Sequence, residues 1–434
     1  MTIIGERELT RIVALKGREI LDSRGRPTVE AEITLEGGTR VRASVPSGAS
    51  TGRHEAVELR DGDQSRYHGR GVRRAVANVD GLLAEAVVGL DVTDQEAVDR
   101  ALLAADGTSD KSALGANALL ATSLASARAG ANAAGIPLWR HLLGDGEPIM
   151  PRPMINLISG GLHARRNLDI QDFLIVPLSA TTISEALEHA AAVISATAQL
   201  LTEQGLSTLH ADEGGFGPDL NGHRDALDLA MAAIERAGLS PGADIAFAID
   251  VAASHFFEAD RGTYDLQAEQ QRVDADGLIE MLEGWVADYP IVSIEDPLAE
   301  DDWEGWQRAT NRLGSGVELV GDDLFTTNHE RVRKGIERGV ANSVLVKMNQ
   351  IGSVSETLEV AAQAREAGYG VVTSARSGET EDDALADLSV ATGGGQIKVG
   401  SLAQSERLAK YNRLLRIADE LGDDAQLRPW RWWR

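Results

Sequence analysis

The side chains best suited to chemistry are four charged residues that each end a short apolar segment: Asp250, Glu295, Asp322 and Lys347. If these segments are parallel strands of one barrel, the four residues meet at its carboxyl-terminal end. Three unpaired carboxylates there would repel one another, and a bound cation would relieve that repulsion. The chain has no cysteine and the trio contains no histidine, so the oxygen ligands favour Mg²⁺ or Mn²⁺ over zinc or copper.

Lysine is rare in this chain, which makes Lys347 a candidate for a special role. Six of the 42 basic residues are lysine, and the others are arginine, which is never deprotonated in proteins. Nearby cations would disfavour the ammonium form of Lys347 and lower its pKa towards that of a useful base. The alternative is a lysine that only neutralises the neighbouring carboxylates.

A further carboxylate lies in the segment Ala-Asp-Glu-Gly-Gly at 211–215, where two glycines permit a close approach of the backbone to a ligand. Glu213 is the natural acid partner of Lys347. A base that removes a proton α to a carboxylate and an acid that protonates a departing hydroxyl together eliminate water. A metal ion would stabilise the negative charge that develops between these steps.

The segments that must position these residues alternate with helical patterns. Apolar runs at 246–250, 291–295, 318–322 and 343–347 are followed by two more at 370–376 and 396–398. Connections of this length are typical of βα units that close into a parallel barrel, so the sequence predicts an α/β protein. A single acidic residue after a strand can simply cap the next helix, but that explanation suits a whole ring of such residues poorly.

The length of 434 residues predicts two domains. Strand-like alternation at 12–35 encloses a sharp turn at 22–27, and alanine-rich helical patterns occupy 72–143. Glycine and proline then mark a linker at 144–148. We therefore expect a small N-terminal α+β domain at 1–143 and a barrel domain at 144–434.

Charge and composition exclude several partners. The net charge of −25 would repel nucleic acid and anionic membranes. No apolar run is long enough to span a bilayer, and charges stand where a signal peptide would be apolar. Without cysteine, disulfides and thiol chemistry are excluded as well. We expect a cytoplasmic enzyme that has no membrane span and binds no nucleic acid.

Longer motifs carry a specific resemblance. They are REILDSRG (18–25), VPSGASTG (45–52), EAVELRDGD (55–63), ADEGGF (211–216), VSIEDPLAEDDWEGW (292–306), GDDLFTTN (321–328), KMNQIG (347–352), SGETED (377–382) and SERLAKYN (405–412). With these motifs the chain resembles the enolase family over essentially its whole length. The resemblance implies an N-terminal α+β cap domain, an enolase-type α/β (TIM-like) barrel, a homodimer or higher homo-oligomer, and one or two Mg²⁺ ions per site. The implied reaction is the reversible dehydration of 2-phosphoglycerate, a small phosphorylated acid, to phosphoenolpyruvate.

The resemblance also assigns roles residue by residue. Lys347 matches the base and Glu213 the acid, and Ser50 lies on a loop that helps to hold a second metal ion. The metal ligands of the first ion match Asp250, Glu295 and Asp322. The substrate-binding positions match His163, Gln171, Asp172, Arg376, Ser377 and Lys398.

The chain departs from the family pattern near the acid. Ala375 replaces a histidine of the site, Asp172 replaces a glutamate, and Arg165 and Arg166 follow closely after His163. The shorter Asp172 retracts its carboxylate by more than about 1 Å, a misplacement that can cost roughly a hundredfold in rate. One alternative is therefore an enolase-like enzyme of phosphonate natural-product biosynthesis, such as carboxyphosphonoenolpyruvate synthase, which acts on a phosphonylated acid. A second is a non-catalytic homologue that serves as a binding protein.

Tryptophan and arginine dominate the last seven residues, 428–434. This tail extends past the usual end of the family. We expect it to pack on the protein surface or on a neighbouring subunit.

Overall fold

The computed structural model describes residues 9–49, 51–164 and 166–431. Ser50 and Arg165, to which the sequence gives possible metal-binding and ligand-binding roles, lie outside these residues. The last three residues of the tail, 432–434, lie outside them as well.

The described chain opens with an antiparallel sheet of three strands, β1 Ile12–Leu21, β2 Pro27–Leu35 and β3 Arg40–Ser44. Asp22 fixes the turn between β1 and β2, because its Oδ1 accepts backbone N–H bonds from Arg24 at 2.8 Å and Arg26 at 2.9 Å. The predicted strands and the predicted turn are therefore confirmed.

Helices of the same region pack against this sheet. They are α1 Arg73–Asn78, α2 Ala84–Val87, α3 Gln95–Asp106, α4 Ala116–Ala134 and α5 Leu138–Leu143. The side chain of Asp94 caps the start of α3 by accepting the N–H of Ala97 at 2.9 Å. The small side chains of α4 let it lie buried against β2 and β3 along most of its length.

Eight further strands close into a barrel. They are β4 Arg152–Ser159, β5 Asp172–Pro177, β6 Ile245–Asp250, β10 Ile291–Glu295, β11 Glu318–Gly321, β12 Ser343–Val346, β13 Gly370–Ser374 and β14 Gly395–Lys398. A small antiparallel sheet follows β6 and consists of β7 Phe257–Glu258, β8 Thr263–Leu266 and β9 Gln271–Val273. The structure confirms an α/β protein with an N-terminal α+β unit and a TIM-like barrel.

The barrel is not entirely parallel, so the prediction of a parallel barrel is wrong for one strand. β5 runs antiparallel to both β4 and β6, whereas the other neighbouring barrel strands are parallel. The described residues between β4 and β5 form turns and no helix. Without a crossover element the chain returns in the opposite direction.

Nine helices of the described residues accompany the barrel. They are α6 Ile183–Glu203, α7 His223–Arg236, α8 Ala275–Asp288, α9 Trp303–Leu313, α10 His329–Arg338, α11 Met348–Ile351, α12 Val354–Glu366, α13 Ala384–Ala391 and α14 Ser405–Leu421. Side chains that precede the helix cap several of them, as Asp302 caps α9 and Ser353 caps α12. Within the described ranges, no helix is long and apolar enough to cross a membrane.

The C-terminal tail closes the amino-terminal end of the barrel. Trp430 is 8% exposed and packs with the apolar side chains that fill the barrel interior, among them Met154, Val292 and Val372. The expectation that the tail lies on the surface is therefore wrong for Trp430. A large aromatic side chain is stabilised more by filling the open end of the barrel than by remaining in water.

Replacing Trp430 tests this closure. Because truncation removes a buried aromatic ring and leaves a cavity, Trp430→Ala should lower the free energy of unfolding by about 3 to 5 kcal/mol. Urea unfolding measures the change. Leu209→Ala is the control, since Leu209 is 78% exposed and its loss should change stability by less than about 0.5 kcal/mol. Equal effects of the two substitutions would contradict the packing.

Candidate active site

Charged side chains from five of the barrel strands meet at one rim. Asp250, Glu295 and Lys398 are the last residues of β6, β10 and β14, and Asp322 and Lys347 directly follow β11 and β12. All five are buried. Because these strands run parallel, their carboxyl-terminal ends lie on the same side of the barrel. The structure thus brings together the residues that sequence spacing predicts.

Lys398 joins two of the carboxylates. Its Nζ lies 2.7 Å from Asp250 Oδ2 and 2.7 Å from Glu295 Oε2. Gln171 Nε2 donates to the same Asp250 oxygen at 3.3 Å. Burial acts to lower the pKa of Lys398, but the two carboxylates raise it well above its usual range. Lys398 is therefore held as an ammonium ion and supplies a fixed positive charge.

Lys347 is paired with the third carboxylate. Its Nζ lies 2.5 Å from Asp322 Oδ2, and Gln350 Nε2 donates to the other oxygen at 2.8 Å. Burial acts to lower the pKa of Lys347, but the Asp322 carboxylate outweighs it and raises the pKa. The predicted lowering is thus wrong for this arrangement, because the carboxylate is closer to the amine than the cations that would oppose it.

The donor set fits a hard divalent cation. Burial raises the pKa of Glu295 well above its usual range, and the nearby Asp250 carboxylate adds to that effect. Its Oε1 is buried without a hydrogen-bond partner. Such an unpaired, crowded oxygen is the kind of group that a bound cation satisfies.

A tighter acidic cluster adjoins the predicted ligands and was missed by sequence reasoning. Oxygen atoms of Asp296, Asp322 and Asp323 lie within 4.8 Å of one another. Asp296 accepts the backbone N–H groups of Asp322 at 2.9 Å and Asp323 at 2.7 Å. The sequence did contain a sign of this cluster, because two adjacent acidic residues stand at the end of β10 (295–296) and again directly after β11 (322–323).

Strain and charge accompany Asp296. Its φ of 41° lies in the left-handed region, which costs energy for a residue other than glycine. Burial and the charges of Asp323 and Asp322 raise its pKa well above the usual range. The predicted trio of Asp250, Glu295 and Asp322 is not among the described groups whose ligand atoms all lie within 4.8 Å of one another. Its carboxylates pair with the ammonium groups of Lys347 and Lys398.

Three other predicted residues form a chain of contacts. Asp172 is fully buried, and its Oδ1 accepts bonds from Asn156 Nδ2 at 2.6 Å and Ser159 Oγ at 2.9 Å. His163 Nδ1 lies 2.9 Å from the other oxygen of Asp172, and its Nε2 lies 3.7 Å from Glu213 Oε1. Asp172 therefore orients His163 towards Glu213.

The same chain fixes the charge states of its members. Burial acts to lower the pKa of His163, but the carboxylates of Asp172 and Glu213 raise it to about 9. Burial acts to raise the pKa of Glu213, yet its pKa is lowered overall, chiefly by His163 and Arg407. Near neutral pH, the proton of the His163 and Glu213 pair therefore resides on the imidazole.

Glycine lets the Glu213 loop lie against the barrel. Gly214 has a φ of +85°, and a Cβ on Gly215 would stand 2.7 Å from Asn156 Oδ1. The backbone oxygen of Glu213 accepts the N–H of Ser401 at 2.8 Å. Both glycines thus let the loop that carries the Glu213 carboxylate pack against the barrel. The close approach of this backbone to a ligand stays a prediction.

Arg376 and Ser377 lie where the N-terminal unit meets the barrel. Glu55 binds the Arg376 guanidinium with both oxygens, at 3.0 and 3.2 Å. Ser377 Oγ accepts a bond from Arg24 Nη1 at 3.2 Å, and Arg407 Nη2 donates to the Ser377 backbone oxygen at 2.8 Å. Sequence reasoning identified Arg376 and Ser377 but missed Glu55 and Arg407.

A second contact ties the loop after residue 50 to the barrel. Arg53 Nε donates to Glu300 Oε1 at 2.6 Å, and the backbone N–H of Arg53 donates to Glu300 Oε2 at 3.1 Å. Gly52 lies so close that a Cβ there would stand 2.7 Å from a Thr326 methyl group. The N-terminal unit is thus part of the site wall.

Besides Asp172, two described departures from the family pattern, Ala375 and Arg166, differ in their surroundings. Ala375 is 7% exposed and its N–H donates to the Lys398 backbone oxygen at 2.8 Å. Arg166 lines a cavity of about 180 Å³ together with His255 and Asp169.

The fold and this rim of carboxylates and lysines define an acid–base enzyme built on an α/β barrel. The family model of the enolase N-terminal domain matches residues 12–142, and that of the enolase C-terminal TIM barrel domain matches 147–430. A protein of Rubrobacter xylanophilus named Enolase is 54% identical over 417 residues, which cover 96% of each chain. The chain belongs to the enolase family.

Metal binding should depend on the rim carboxylates. We expect Mg²⁺ to raise the melting temperature of the wild-type protein by mass action. Asp322→Asn should weaken Mg²⁺ binding at least about tenfold, because it removes a charged ligand. Asp423→Asn, at an exposed position, is the matched control. Unchanged Mg²⁺ affinity in Asp322→Asn would refute the assignment.

The affinity for Mg²⁺ should also rise with pH. Glu295 has a raised pKa, so at low pH a proton competes with the ion for this carboxyl group. Calorimetric titrations at about pH 6 and about pH 8 should show tighter binding at the higher value, with release of protons at the lower one. Affinity that is independent of pH would show that Glu295 is ionised throughout.

Proposed function

We propose that this protein catalyses the reversible, Mg²⁺-dependent dehydration of 2-phosphoglycerate to phosphoenolpyruvate. The observation that carries the proposal is the meeting of a buried lysine, three buried carboxylates and the His163 and Glu213 pair at the mouth of one barrel. The name of the Rubrobacter xylanophilus relative supports the same reaction.

Asp250, Glu295 and Asp322 would hold the first cation, Mg²⁺ or in its place Mn²⁺. Asp296 and Asp323 stand beside them, and Ser50 would contribute to a second ion. When bound, the cation supplies positive charge that stabilises the substrate carboxylate as its α proton leaves.

Lys347 acts as the base for the proton at C2 of the substrate. It must react from its neutral form, and the contact with Asp322 favours the ammonium form instead. The positive charges of Arg376 and Lys398 act to lower the pKa of Lys347 and so limit the rise that Asp322 causes. The balance among these charges sets the fraction of Lys347 that is neutral and able to accept the proton.

Glu213 and His163 form the acid side. The leaving hydroxyl needs a proton, and His163 holds one near neutral pH at a ring nitrogen that faces Glu213. Asp172 keeps the imidazole oriented and protonated. The shorter Asp172 side chain therefore acts through His163.

The remaining predicted residues bind the substrate. Arg376, Ser377 and Lys398 offer positive charge and a hydroxyl to the phosphate and carboxylate groups. Gln171 is held next to Asp250 and has a buried Oε1 without a partner. That oxygen is available to accept a bond from a substrate hydroxyl.

We also propose the wider organisation that the resemblance implies. The N-terminal domain would comprise 1–143 and the catalytic barrel domain 144–434, and the protein would act in the cytoplasm as a homodimer or higher homo-oligomer. The phosphonate and non-catalytic interpretations are not favoured, because the base, acid and metal positions are all occupied by suitable residues and the relative that is 54% identical is named Enolase.

Loss of the base should abolish turnover. Lys347→Ala should lower kcat by about a thousandfold or more, since general acid–base catalysis contributes roughly 10² to 10⁴. The assay follows phosphoenolpyruvate absorbance with 2-phosphoglycerate and Mg²⁺. Lys334→Ala, which removes an exposed lysine, should retain wild-type activity. Absence of turnover in the wild-type protein, with Mg²⁺ bound, would refute the proposed reaction.

The pH profile tests the acid side. With its pKa raised to about 9, His163 stays protonated up to that pH, and kcat should fall above it. In Asp172→Asn the supporting carboxylate is lost while burial remains, so the alkaline limb of kcat should move to lower pH. Asp172→Glu keeps the charge and should leave the limb near pH 9. An alkaline limb that Asp172→Asn does not move would contradict the role of His163.

A further inference from the structure

A cavity of about 280 Å³ lies at the end of the barrel opposite the catalytic rim. Its wall includes the first residues of three strands, Arg152 of β4, Gly370 of β13 and Gly395 of β14. Arg365, Arg428 and Arg431 line it as well, and none of the described residues in its wall is acidic. In a chain with a net charge of −25, this is a local reversal of charge.

Arg152 is the most unusual of these arginines. It is 2% exposed, and its terminal nitrogens donate to the backbone oxygens of Pro177, Ala180 and Arg428. Its Nε has no hydrogen-bond partner, and no described carboxylate lies within ion-pair distance. Burial lowers its pKa to about 10, opposed only by the longer-range charge of Glu185. A buried charge without a counter-ion is costly, and a bound anion would offset that cost.

The loop that contains Thr392 and Gly393 packs around a second arginine of the cavity, Arg365. Arg365 Nη1 donates to the Thr392 backbone oxygen at 3.1 Å. Gly393 has a φ of +63°, and a Cβ there would stand 2.7 Å from the same Nη1. The glycine therefore leaves room for the guanidinium group against the loop, and it also keeps the backbone open to a small ligand.

We propose that this cavity binds the phosphate group of a small anion through Arg152, Arg365 and Arg428. Planar guanidinium groups match phosphate oxygens with paired hydrogen bonds, and several of them together suit a multiply charged ion. The volume is large enough for a phosphate or pyrophosphate group. The site is separate from the catalytic rim.

One buried acid lies behind the wall and does not neutralise it. Gln396 lines the cavity, and its Nε2 donates to Glu318 Oε1 at 3.1 Å. Burial raises the pKa of Glu318 to about 7, so this carboxyl group is only partly charged near neutral pH. The arginines of the cavity therefore keep an excess of positive charge.

Calorimetric titration of pyrophosphate into the Mg²⁺-loaded protein tests the proposal. Because the catalytic rim is the same in every protein compared, affinity that is lost in a variant of the cavity is assigned to the cavity. We expect one saturable site, and Arg365→Gln combined with Arg428→Gln should weaken it at least about tenfold. Arg416→Gln, which replaces an exposed helical arginine elsewhere, should stay within about twofold of the wild-type protein.

Two further measurements assign the result to the cavity. The double variant should keep wild-type kcat, which shows that its fold and catalytic site are intact. Crystals of the wild-type protein soaked in tungstate should show the ion beside Arg365 and Arg428. Absence of saturable pyrophosphate binding to the wild-type protein, or equal affinity in the double variant, would overturn the proposal, as would a tungstate ion found only at the catalytic rim.

Discussion

Three buried carboxylates at one barrel rim are the constraint on which the site depends. Asp250, Glu295 and Asp322 end or follow parallel strands, so the fold forces them together whether or not their charges are compensated. Leaving such charges buried and unpaired costs several kcal/mol each. Positive groups must therefore be present, and in this structure Lys398 and Lys347 provide them. The catalytic base is thus also part of the charge balance, and its availability depends on what else balances the carboxylates.

The surrounding structure keeps that balance in place. Asp296 binds the backbone of the residues after β11, and Arg407 binds the backbone at Arg376 and Ser377. Glu55 reaches Arg376 from the N-terminal unit. These contacts explain why the α+β unit and the barrel function together. Residues remote in sequence determine where the charges of the rim lie.

The sequence predicted the barrel rim well because each strand carries its own signal, an apolar run that ends in a charged residue. It could not predict the reversed direction of β5, since that depends on a connection without a helix. It also missed Glu55, which lies far along the chain from Arg376 and meets it only in the folded protein. The predicted direction of the Lys347 pKa shift was wrong for a similar reason. Sequence spacing does not show that Asp322 Oδ2 lies 2.5 Å from the amine.

The most direct test of the account separates proton removal from loss of hydroxyl. Exchange of the C2 proton of 2-phosphoglycerate with solvent can be followed by NMR in D₂O with Mg²⁺ present. If Lys347 is the base and Glu213 belongs to the acid side, Glu213→Gln should still catalyse the exchange while dehydration is lost. Lys347→Ala should catalyse neither. Exchange that persists in Lys347→Ala would contradict the central assignment of the base.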